Sequence, residues 1–381
     1  MRVGIVRERR AGERRVAATP ETVTQLSALG LEVVVEAGAG AEAGYSDAAY
    51  EAAGAGIVKQ LPLAKLDVYC HVRPLTPKVA SQLHPGAITI GLASPASELA
   101  TVRALADARI TSFALELLPR ISRAQSMDAL SSQALIAGYR AVLEAAMRFP
   151  RLFPLYMTAA GTIPPAKVLV LGAGVAGLQA IGTAKRLGAR VSANDIRAAS
   201  AEEVTSMGGT FINLDLDAAE GSGGYARELA EDRAVRQREL LAPHVAAADV
   251  LITTAAIPGR AAPLLVTLEM VAGMRAGSVI VDLAAESGGN VEGVVAGSNL
   301  KVATSAGDGD VTLVGLQDVA SAVPTDASRL YAKNVANLLA LMTVDGQVTP
   351  DFEDEIIAGA CLTSDGTVRH APTAEALEGQ K

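Results

Sequence analysis

An apolar run at residues 168–171 leads directly into three glycines, Gly172, Gly174 and Gly177, in the middle of a 381-residue chain. The run is typical of a buried parallel strand, and the glycines have the G-x-G-x-x-G spacing of a dinucleotide-binding turn between a strand and a helix. In such a turn the first glycine allows the bend, the second leaves room for a pyrophosphate, and the third lets the helix pack on the strand. We therefore expect a parallel α/β sheet with a pyrophosphate at the N-terminus of a helix.

The residues after the glycines continue this pattern. Residues 178–187 are predicted to be helical, Gly188 suits the end of that helix, and residues 191–194 are predicted to form the next strand. The strand ends at Asp195, where a carboxylate binds the ribose hydroxyls of NAD and repels the 2′-phosphate of NADP. Arg197 is of the type that accommodates that phosphate. The pattern favours NAD(H) over NADP(H), and close helix packing without a ligand is the alternative.

Composition and charge narrow the remaining function classes. Lys and Arg total 33 against 41 Asp and Glu, and aromatic residues make up 3% of the chain. Because nucleic-acid-binding proteins need a basic surface or stacking aromatic residues, no nucleic-acid partner is expected. Cys70 and Cys361 lie far apart without a metal-binding pattern, so no metal site is expected. Residues 1–6 resemble a strand and not a signal peptide, and the uncharged run 168–184 is too short to span a membrane, which predicts a cytoplasmic protein.

Strand-like and helix-like segments alternate along the chain and predict two α/β lobes. The segments typical of strands are residues 2–6, 32–36, 68–72, 87–92 and 110–115 before the glycines, and 211–213, 249–254, 278–283 and 311–315 after them. Long helices at about residues 127–149 and 326–343 are expected to join the lobes. The predicted fold class is α/β, with two Rossmann-like doubly wound lobes joined by long helices and a cleft between them, where a nicotinamide would react.

The C-terminal segment is expected to return to the first lobe. Residues 356–363 and 368–370 are predicted strands on either side of the turn residues 364–366, which is a hairpin pattern. The first lobe would then contain both ends of the chain. The predicted domains are residues 1–127 plus 318–381 for the first lobe and residues 128–317 for the NAD(H)-binding lobe.

A polar run at residues 120–133 enters the first long helix. On a helix that starts near Ser126, the residues Asp128, Ser131 and Tyr139 lie within about 80° of one another, so they form one polar stripe. Such a stripe can hold a ribose and a carboxamide. The alternative is structural, with Ser126 as the helix cap, Asp128 beside the helix dipole and Tyr139 as half-buried core.

Three further groups are candidates for cofactor contacts. Arg120 and Gln125 begin the same polar run and are placed to orient the nicotinamide ring. Residues 221–225 are rich in glycine and end at Tyr225, which predicts a flexible lid, with a plain flexible loop as the alternative. Residues 253–259 follow a strand at its carboxyl end, where a Rossmann sheet presents its ligand.

A general base for substrate oxidation is not evident in the sequence. Histidine is the commonest base, and His71 stands at the end of a predicted first-lobe strand, where a structural role is expected. Asp282 and Glu286 are the best carboxylate candidates. Substrate binding, cofactor binding and backbone capping are open alternatives for both of them.

Four segments together resemble one family. They are residues 7–17, the polar run 120–133, the glycine turn from Gly172, and residues 282–290. Over nearly its whole length the chain resembles the NAD(H)-binding first domain of proton-translocating nicotinamide nucleotide transhydrogenases, as a separate soluble alpha-1 subunit. The fold is related to that of alanine dehydrogenase, which shares the glycine turn and the early Arg-Val-Ala segment.

The resemblance implies Re/Si-specific hydride transfer from NADH on this chain to NADP on an NADP(H)-binding beta subunit, coupled to proton translocation by a membrane-spanning subunit. It also implies a homodimer that is cytoplasmic and peripheral to the cytoplasmic membrane through its partner subunits, without a direct membrane span. The cofactor contacts that it implies are Arg120, Gln125, Ser126, Met127, Asp128, Ser131, Tyr139, Gly172, Gly174, Val175, Gly177, Asp195, Ile196, Arg197, Gly224, Tyr225, Thr254 and Ala255.

Of these residues, Gln125, Arg120 and Asp128 are expected to take part in catalysis. Hydride exchange between two nicotinamides releases no substrate proton, so positioning is sufficient, which fits the absence of an evident base. Gln125 is expected to hold the two rings at the transfer distance without acting as an acid or base.

Two other functions are weighed against this one. An alanine dehydrogenase-like amino-acid dehydrogenase would have a Lys where this chain has Arg73, a His near Gly91, and an Asp where this chain has Glu286. A non-enzymatic NAD-sensing or structural module would bind the cofactor without transferring a hydride.

Overall fold

The computed structural model describes residues 1–197, 199–214, 226–256 and 261–379, without the side chains of residues 226–231. The chain forms two compact units: unit 1 contains Met1–Gln133 and Ala320–Lys381, and unit 2 contains Ala134–Val319. These boundaries differ by a few residues from the boundaries expected from the sequence.

The strands alternate with helices along most of the chain. The described strands are β1 Arg2–Ile5, β2 Glu32–Glu36, β3 Gly56–Val58, β4 Val68–Cys70, β5 Ile88–Gly91, β6 Thr111–Ala114, β7 Tyr156–Thr158, β8 Gly161–Ile163, β9 Lys167–Leu171, β10 Arg190–Asn194, β11 Thr210–Phe211, β12 Val250–Thr253, β13 Val279–Asp282, β14 Asn299–Ala303, β15 Asp310–Gly315, β16 Thr343–Val344, β17 Gln347–Val348, β18 Cys361–Ser364 and β19 Thr367–Val368. The described α-helices are α1 Pro20–Ala28, α2 Asp47–Ala52, α3 Pro77–Ala80, α4 Leu99–Asp107, α5 Ala129–Arg148, α6 Val175–Arg186, α7 Ser200–Ser206, α8 Ala226–Ala247, α9 Leu268–Ala272, α10 Pro324–Leu341, α11 Glu355–Ala360 and α12 Ala371–Glu378.

Unit 1 is built on an eight-stranded sheet with the order β19-β18-β6-β5-β4-β1-β2-β3. Strands β1 to β6 are parallel, and β18 joins β6 in the antiparallel direction. Along β2, Val33 and Val35 belong to one buried cluster while Val34 belongs to another, because successive side chains point to opposite faces. The sheet therefore has a buried layer on each face, as in a doubly wound fold.

Unit 2 is built on a seven-stranded sheet with the order β11-β10-β9-β12-β13-β15-β14. All of its pairs are parallel except that of β14 with β15. Along β9, Val168 and Val170 lie in one core cluster, and Leu169 and Leu171 lie in the other. This explains why the run before the glycines is continuously apolar, and the two sheets confirm the Rossmann-like α/β fold class.

The structure corrects two local predictions. Residues 122–127 form a 3₁₀ helix, and α5 begins only at Ala129, so the helix does not start at Ser126. Residues 356–360 are helical and not a strand, because the side chain of Asp354 accepts a hydrogen bond from the backbone N–H of Ile356 and begins α11. The C-terminal hairpin is the shorter pair β18 and β19. Within the described ranges, no helix is both long and apolar enough to cross a membrane.

Candidate functional site

Two glycines, Gly172 and Gly177, make the tight turn between β9 and α6 possible. Gly172 has a φ of 97°, in the left-handed region that favours glycine. A Cβ on Gly172 would lie 2.6 Å from Oγ1 of Thr254, and a Cβ on Gly177 would lie 1.8 Å from the carbonyl oxygen of Gly172. A side chain at Gly177 would therefore push the helix off the strand, and a side chain at Gly172 would displace the loop after β12.

Gly174 has a different environment. Its φ of −76° is available to any residue, and apart from its chain neighbours and the backbone of its own helix no described atom lies within 4 Å of the place where its Cβ would be. Gly174 is also the N-cap of α6, and its cap position has no side-chain hydrogen bond. The N–H groups of the first turn thus face open space at the positive end of the helix dipole, an arrangement that suits a phosphate.

Asp195 follows β10 and lies beside this turn. One of its carboxylate oxygens accepts a hydrogen bond from the backbone N–H of Ala173 at 2.7 Å, and the other accepts from the backbone N–H and Nε of Arg197 at 2.9 and 3.0 Å. Burial acts to raise the pKa of Asp195, but the hydrogen bonds from Arg197 and Ala173 outweigh it and lower that pKa. The carboxylate is therefore ionised at neutral pH and joined to the glycine turn.

Arg197 compensates the charge of Asp195 and also reaches the turn. Its Nη2 donates to the carbonyl oxygen of Ala173 at 3.2 Å, and its side chain is 57% exposed. A ligand hydroxyl at Asp195 would therefore share the carboxylate with Arg197.

The residues after β12 support the glycine turn from the other side. Thr254 donates its hydroxyl to the carbonyl oxygen of Gly172 at 3.0 Å. The amide of Asn290 accepts from the N–H of Ala255 at 3.0 Å and donates to the carbonyl oxygens of Ala255 and Pro263 at 2.8 and 2.9 Å. Asn290 was not among the site residues predicted from the sequence, because an asparagine in a loop gives no signal for such a role.

The carboxylate of Asp282 caps backbone N–H groups, and backbone capping is one of the alternatives that the sequence left open for this residue. It is fully buried and accepts from the N–H groups of Ala284, Asn290 and Val291 at 2.8, 2.7 and 3.1 Å. Burial raises its pKa above the usual value, and these hydrogen bonds only partly oppose that effect. Glu286 is exposed and accepts from the backbone N–H of Asp318 at 3.1 Å.

In unit 1, side chains from other segments bind the polar run after β6 and hold it in place. The side-chain amides of Asn334 and Asn337 on α10 both donate to the carbonyl oxygen of Ser126, at 2.9 and 3.0 Å. Arg123 makes two hydrogen bonds with Asp354, at 2.7 and 2.9 Å. The signal for Asn334 and Asn337 is absent from the sequence, because they lie about 200 residues away from the loop they hold.

The exposed side chains of this run are free to meet a ligand. Arg120, Gln125 and Ser126 are exposed, and in the described ranges no hydrogen bond involves the side chain of Gln125 or Arg120. Met127 is buried in the core of unit 1, so only its backbone remains a possible cofactor contact.

Asp128 is the residue that caps α5, in place of Ser126. Its carboxylate accepts from the backbone N–H of Ser131 at 2.9 Å and from the hydroxyl of Ser131 at 2.6 Å. Tyr139, further along α5, is 39% exposed and is therefore not a core residue.

The predicted site residues are divided between the two units. Those of unit 1 are Arg120, Gln125, Ser126, Met127, Asp128 and Ser131, and those of unit 2 are Tyr139, Gly172, Gly174, Val175, Gly177, Asp195, Ile196, Arg197, Thr254 and Ala255. Val175 and Ile196 are exposed, at 41% and 77%, beside the glycine turn and Asp195. Gly224 and Tyr225 lie outside the described residues, as do residues 257–259 of the predicted turn.

Unit 1 also holds a buried ion-pair cluster around Glu13. Its carboxylate accepts from Arg15 at 2.7 and 2.8 Å, from Nε of Arg73 at 2.7 Å and from the hydroxyl of Ser321 at 2.5 Å. Burial acts to raise the pKa of Glu13, but Arg15 outweighs it and the pKa falls to about 2. Arg15 also donates to Gln133 at 2.9 Å. The charged side chains of this cluster therefore have partners within unit 1.

His71 is buried next to this cluster. It is 3% exposed, its Nδ1 lies 2.7 Å from the carbonyl oxygen of Arg73, and burial lowers its pKa to about 4. The ring is therefore neutral at physiological pH, which fits the structural role expected for it. Within the described ranges, no group of three or more His, Cys, Asp or Glu side chains is arranged to hold a metal ion.

Comparison with known proteins extends over both units. The chain matches the family model "Alanine dehydrogenase/PNT, N-terminal domain" over residues 4–137 and "Alanine dehydrogenase/PNT, C-terminal domain" over residues 141–371. It is 47% identical to an NAD(P) transhydrogenase alpha-subunit chain of Rhodospirillum rubrum over 392 aligned positions, which cover 100% of both chains.

A solved structure and a more distant relative agree with these matches. The crystal structure of transhydrogenase from Sinorhizobium meliloti has a TM-score of 0.85 and 44% identity, covering 98% of this chain and 100% of that one. Alanine dehydrogenase of Bacillus subtilis is 31% identical, covering 77% of this chain and 73% of its own length. The chain therefore belongs to the alanine dehydrogenase/PNT family and, within it, to the NAD(P) transhydrogenase alpha subunits.

Proposed function

We propose that this chain is the NAD(H)-binding subunit of a Re/Si-specific, proton-translocating transhydrogenase. Hydride passes between NADH on this chain and NADP⁺ on an NADP(H)-binding beta subunit, and a separate membrane-spanning subunit translocates the protons. The observation that carries the proposal is the unfilled space at Gly174, in front of the uncapped N-terminus of α6 and beside the Asp195 carboxylate. The name of the Rhodospirillum rubrum relative supports a subunit role.

NAD(H) fits the residues that surround this space. The N–H groups at the start of α6 would hold the pyrophosphate, and Asp195 would accept hydrogen bonds from the adenosine ribose. Arg197 would remain beside Asp195, where it is already bound. The nicotinamide ring supplies the hydride chemistry when the nucleotide is bound.

The nicotinamide half is assigned to Arg120, Gln125, Asp128 and Ser131. The backbone around Ser126 is fixed by two asparagine amides, while the side chain of Gln125 is exposed. A fixed backbone with a free amide is suited to orienting a ring without proton transfer. His71 and Glu13, which have strongly shifted pKa values, are buried and hydrogen-bonded, so neither is available as a base for a substrate.

We also propose how the chain is assembled with its partners. The chain would act as a homodimer, cytoplasmic and peripheral to the cytoplasmic membrane through its partner subunits.

The test is stoichiometric mixing with a separately produced NADP(H)-binding domain. Reduction of an NADP⁺ analogue by NADH is followed by absorbance, and it is expected only in the mixture. Absence of transfer with any such domain, together with normal NADH binding, would support the NAD-sensing role instead.

Gln125→Asn tests the residue assignment. It shortens the amide arm, so we expect hydride transfer to slow at least tenfold while the Kd for NADH changes by less than twofold. Gln60→Asn is the matched control because Gln60 is an exposed glutamine of the same unit, outside the site. Equal losses in transfer and in binding would contradict a positioning role for Gln125.

The second candidate is an amino-acid dehydrogenase, favoured by the 31% identity with alanine dehydrogenase. Arg73 stands where that function would need a lysine, and it is already ion-paired with Glu13, as is Arg15. Robust NADH oxidation by this chain alone with ammonia and pyruvate would support this function and overturn the transhydrogenase proposal.

A further inference from the structure

A cleft of about 300 Å³ lies in unit 2 at the amino ends of its strands, and we call it the amino-end cleft. Its lining includes Lys167, Leu169, Arg190, Ser192, Thr210 and His244. Strands β9 and β10 run away from this cleft towards the glycine turn and Asp195, which follow their carboxyl ends. The amino-end cleft is therefore separate from the proposed NAD(H) site, and its volume is at the lower end of the range for small-molecule sites.

Two cations stand side by side at the rim of this cleft. Lys167 and Arg190 are the first residues of β9 and β10, and they are register partners in this parallel pair. Neighbouring strands lie about 4.8 Å apart, so the two side chains leave the same face of the sheet close together. That face is covered by α8, because Leu169, two residues after Lys167, lies in one buried cluster with Leu241 of α8. Like charges on neighbouring strands repel each other and reduce stability.

The charges of this pair are not balanced by the rest of the described chain. Both residues are exposed, and among the residues that the structure describes neither side chain forms a hydrogen bond or an ion pair. The carboxylate of Asp249 belongs to the same edge of the sheet, but it accepts from the backbone N–H of Lys167 at 2.8 Å. Its other oxygen lies 3.6 Å from Arg151 and 3.4 Å from Arg275, so two further cations already share it.

Two hydroxyl groups lie deeper on the same face of the sheet. Ser192 and Thr210 are register partners in β10 and β11, and Ser192 follows Arg190 by two residues, which is about 6.6 Å along a strand. The end of α8 forms another wall. Its carbonyl oxygen at Ala247 accepts from Arg275 at 2.9 Å, which offsets the negative end of the helix dipole. The cleft thus offers an ammonium, a guanidinium and two hydroxyls as hydrogen-bond donors.

We propose that the amino-end cleft binds a phosphate dianion, either as free phosphate or as the phosphate group of a small ester. Lys and Arg form strong, charge-assisted hydrogen bonds with phosphate, and the planar guanidinium of Arg can bind two oxygens at once. A bound dianion would neutralise Lys167 and Arg190 together and remove the repulsion between them. The hydroxyls of Ser192 and Thr210 would bind the remaining oxygens or the rest of the ester. This site goes beyond the proposed function, because neither nucleotide of the hydride transfer occupies it.

The experiment is a calorimetric titration of the full chain with inorganic phosphate and, separately, with glycerol 3-phosphate, at constant ionic strength in sodium chloride. The titrated chain carries Gly174→Val, so that phosphate cannot bind at the proposed pyrophosphate position. We expect one site per chain, and Lys167→Gln and Arg190→Gln should each raise its Kd at least tenfold. Tighter binding of glycerol 3-phosphate supports an ester as the ligand, and equal or weaker binding supports free phosphate.

Arg186→Gln is the matched control for the two rim variants. Arg186 is an exposed arginine of the same unit, in the last turn of α6 and outside the amino-end cleft. This variant loses the same charge, and its Kd for phosphate should stay within twofold of the original. In phosphate-free buffer the melting temperature of Arg190→Gln should equal or exceed the original, because one of two repelling charges is gone. Added phosphate should raise the melting temperature of the original chain and leave that of Arg190→Gln unchanged.

Three outcomes would overturn the proposal. One is the absence of phosphate binding at constant ionic strength, and another is an equal loss of binding in Arg186→Gln and Arg190→Gln, which would mean a general charge effect. The third is weaker NADH binding by the rim variants without Gly174→Val, which would mean that β9 and β10 have shifted as far as the glycine turn. Hydride transfer with the partner domain is measured on the same variants and should be unchanged, so failure of the proposed function is detected separately.

Discussion

Gly174 is the residue of the β9–α6 turn whose missing side chain leaves space for a ligand. Its φ of −76° is ordinary, and no described atom would touch a Cβ there. Gly174→Val should therefore keep the fold, at a cost of about 1 kcal/mol from the poorer helix cap. The new methyl groups would occupy the pyrophosphate position, so the Kd for NADH should rise at least tenfold. Fluorescence titration with NADH and a denaturant titration measure the two effects.

Gly177→Ala is the matched comparison for Gly174→Val. Its Cβ would lie 1.8 Å from the carbonyl oxygen of Gly172, so the helix or the strand has to move. We expect a loss of stability of about 1–3 kcal/mol, typical of overpacking.

Unaltered NADH binding by Gly174→Val would show that the open space is not the pyrophosphate site.

Residue types with a fixed spacing were the readily predictable members of the candidate site. The three glycines and Asp195 follow from a spacing that one strand, one turn and one helix impose. The sequence could not decide between the three alternatives for Asp282, because its hydrogen-bond donors depend on how the loop returns at residues 290 and 291. The cap of α5 was misplaced at Ser126 because a 3₁₀ helix precedes it, and Asp128 takes that role.

At the scale of elements, α5 packs directly on the first turn of α6. A Cβ on Gly138 of α5 would lie 2.0 Å from the carbonyl oxygen of Ala176, within the turn that faces the open space. Gly138→Ala should push the two helices apart and displace the N–H groups of α6. We expect the Kd for NADH to rise about tenfold and stability to fall by about 1–3 kcal/mol.

Gly273→Ala is the control for this helix contact. Gly273 has an ordinary φ of −75°, and its Cβ would make contacts of 3.4 and 3.5 Å in the same unit. Both variants are compared by NADH titration and by thermal unfolding. A Gly138→Ala protein that binds NADH as well as the control would mean that this packing does not position the phosphate turn.

The elements with two buried faces were predictable, and the short exposed ones were not. Continuous apolar runs identified β9, β12 and β13, because a parallel strand covered on both faces contains few polar residues. The pair β7 and β8 was not predicted, because its apolar residues are exposed and each of the two strands is shorter than a typical strand. Residues 356–360 carry an apolar run that suits a strand or a helix, and the Asp354 cap decides for α11.

At the scale of the whole molecule, each unit has its own core. The buried clusters of unit 1 contain residues from both ends of the chain, such as Leu26 and Leu339, and those of unit 2 contain residues such as Leu169. Pairing of β18 with β6 joins the C-terminal segment to the first sheet. The sequence could suggest this return through the hairpin pattern, but its register depends on contacts about 250 residues apart.

Separate cores predict two unfolding transitions in calorimetry. Leu26→Ala should lower mainly the free energy of unfolding of unit 1, and Leu169→Ala mainly that of unit 2. Each loss should be about 2–5 kcal/mol, because both side chains are fully buried. NADH at about 100 times its Kd should then add about 2.7 kcal/mol of stability, mainly to unit 2, since the pyrophosphate and ribose contacts at the glycine turn and Asp195 lie there. Gly174→Val should lose this shift while keeping both transitions. If both leucine variants lower one shared transition equally, the units unfold as one cooperative structure and the prediction fails.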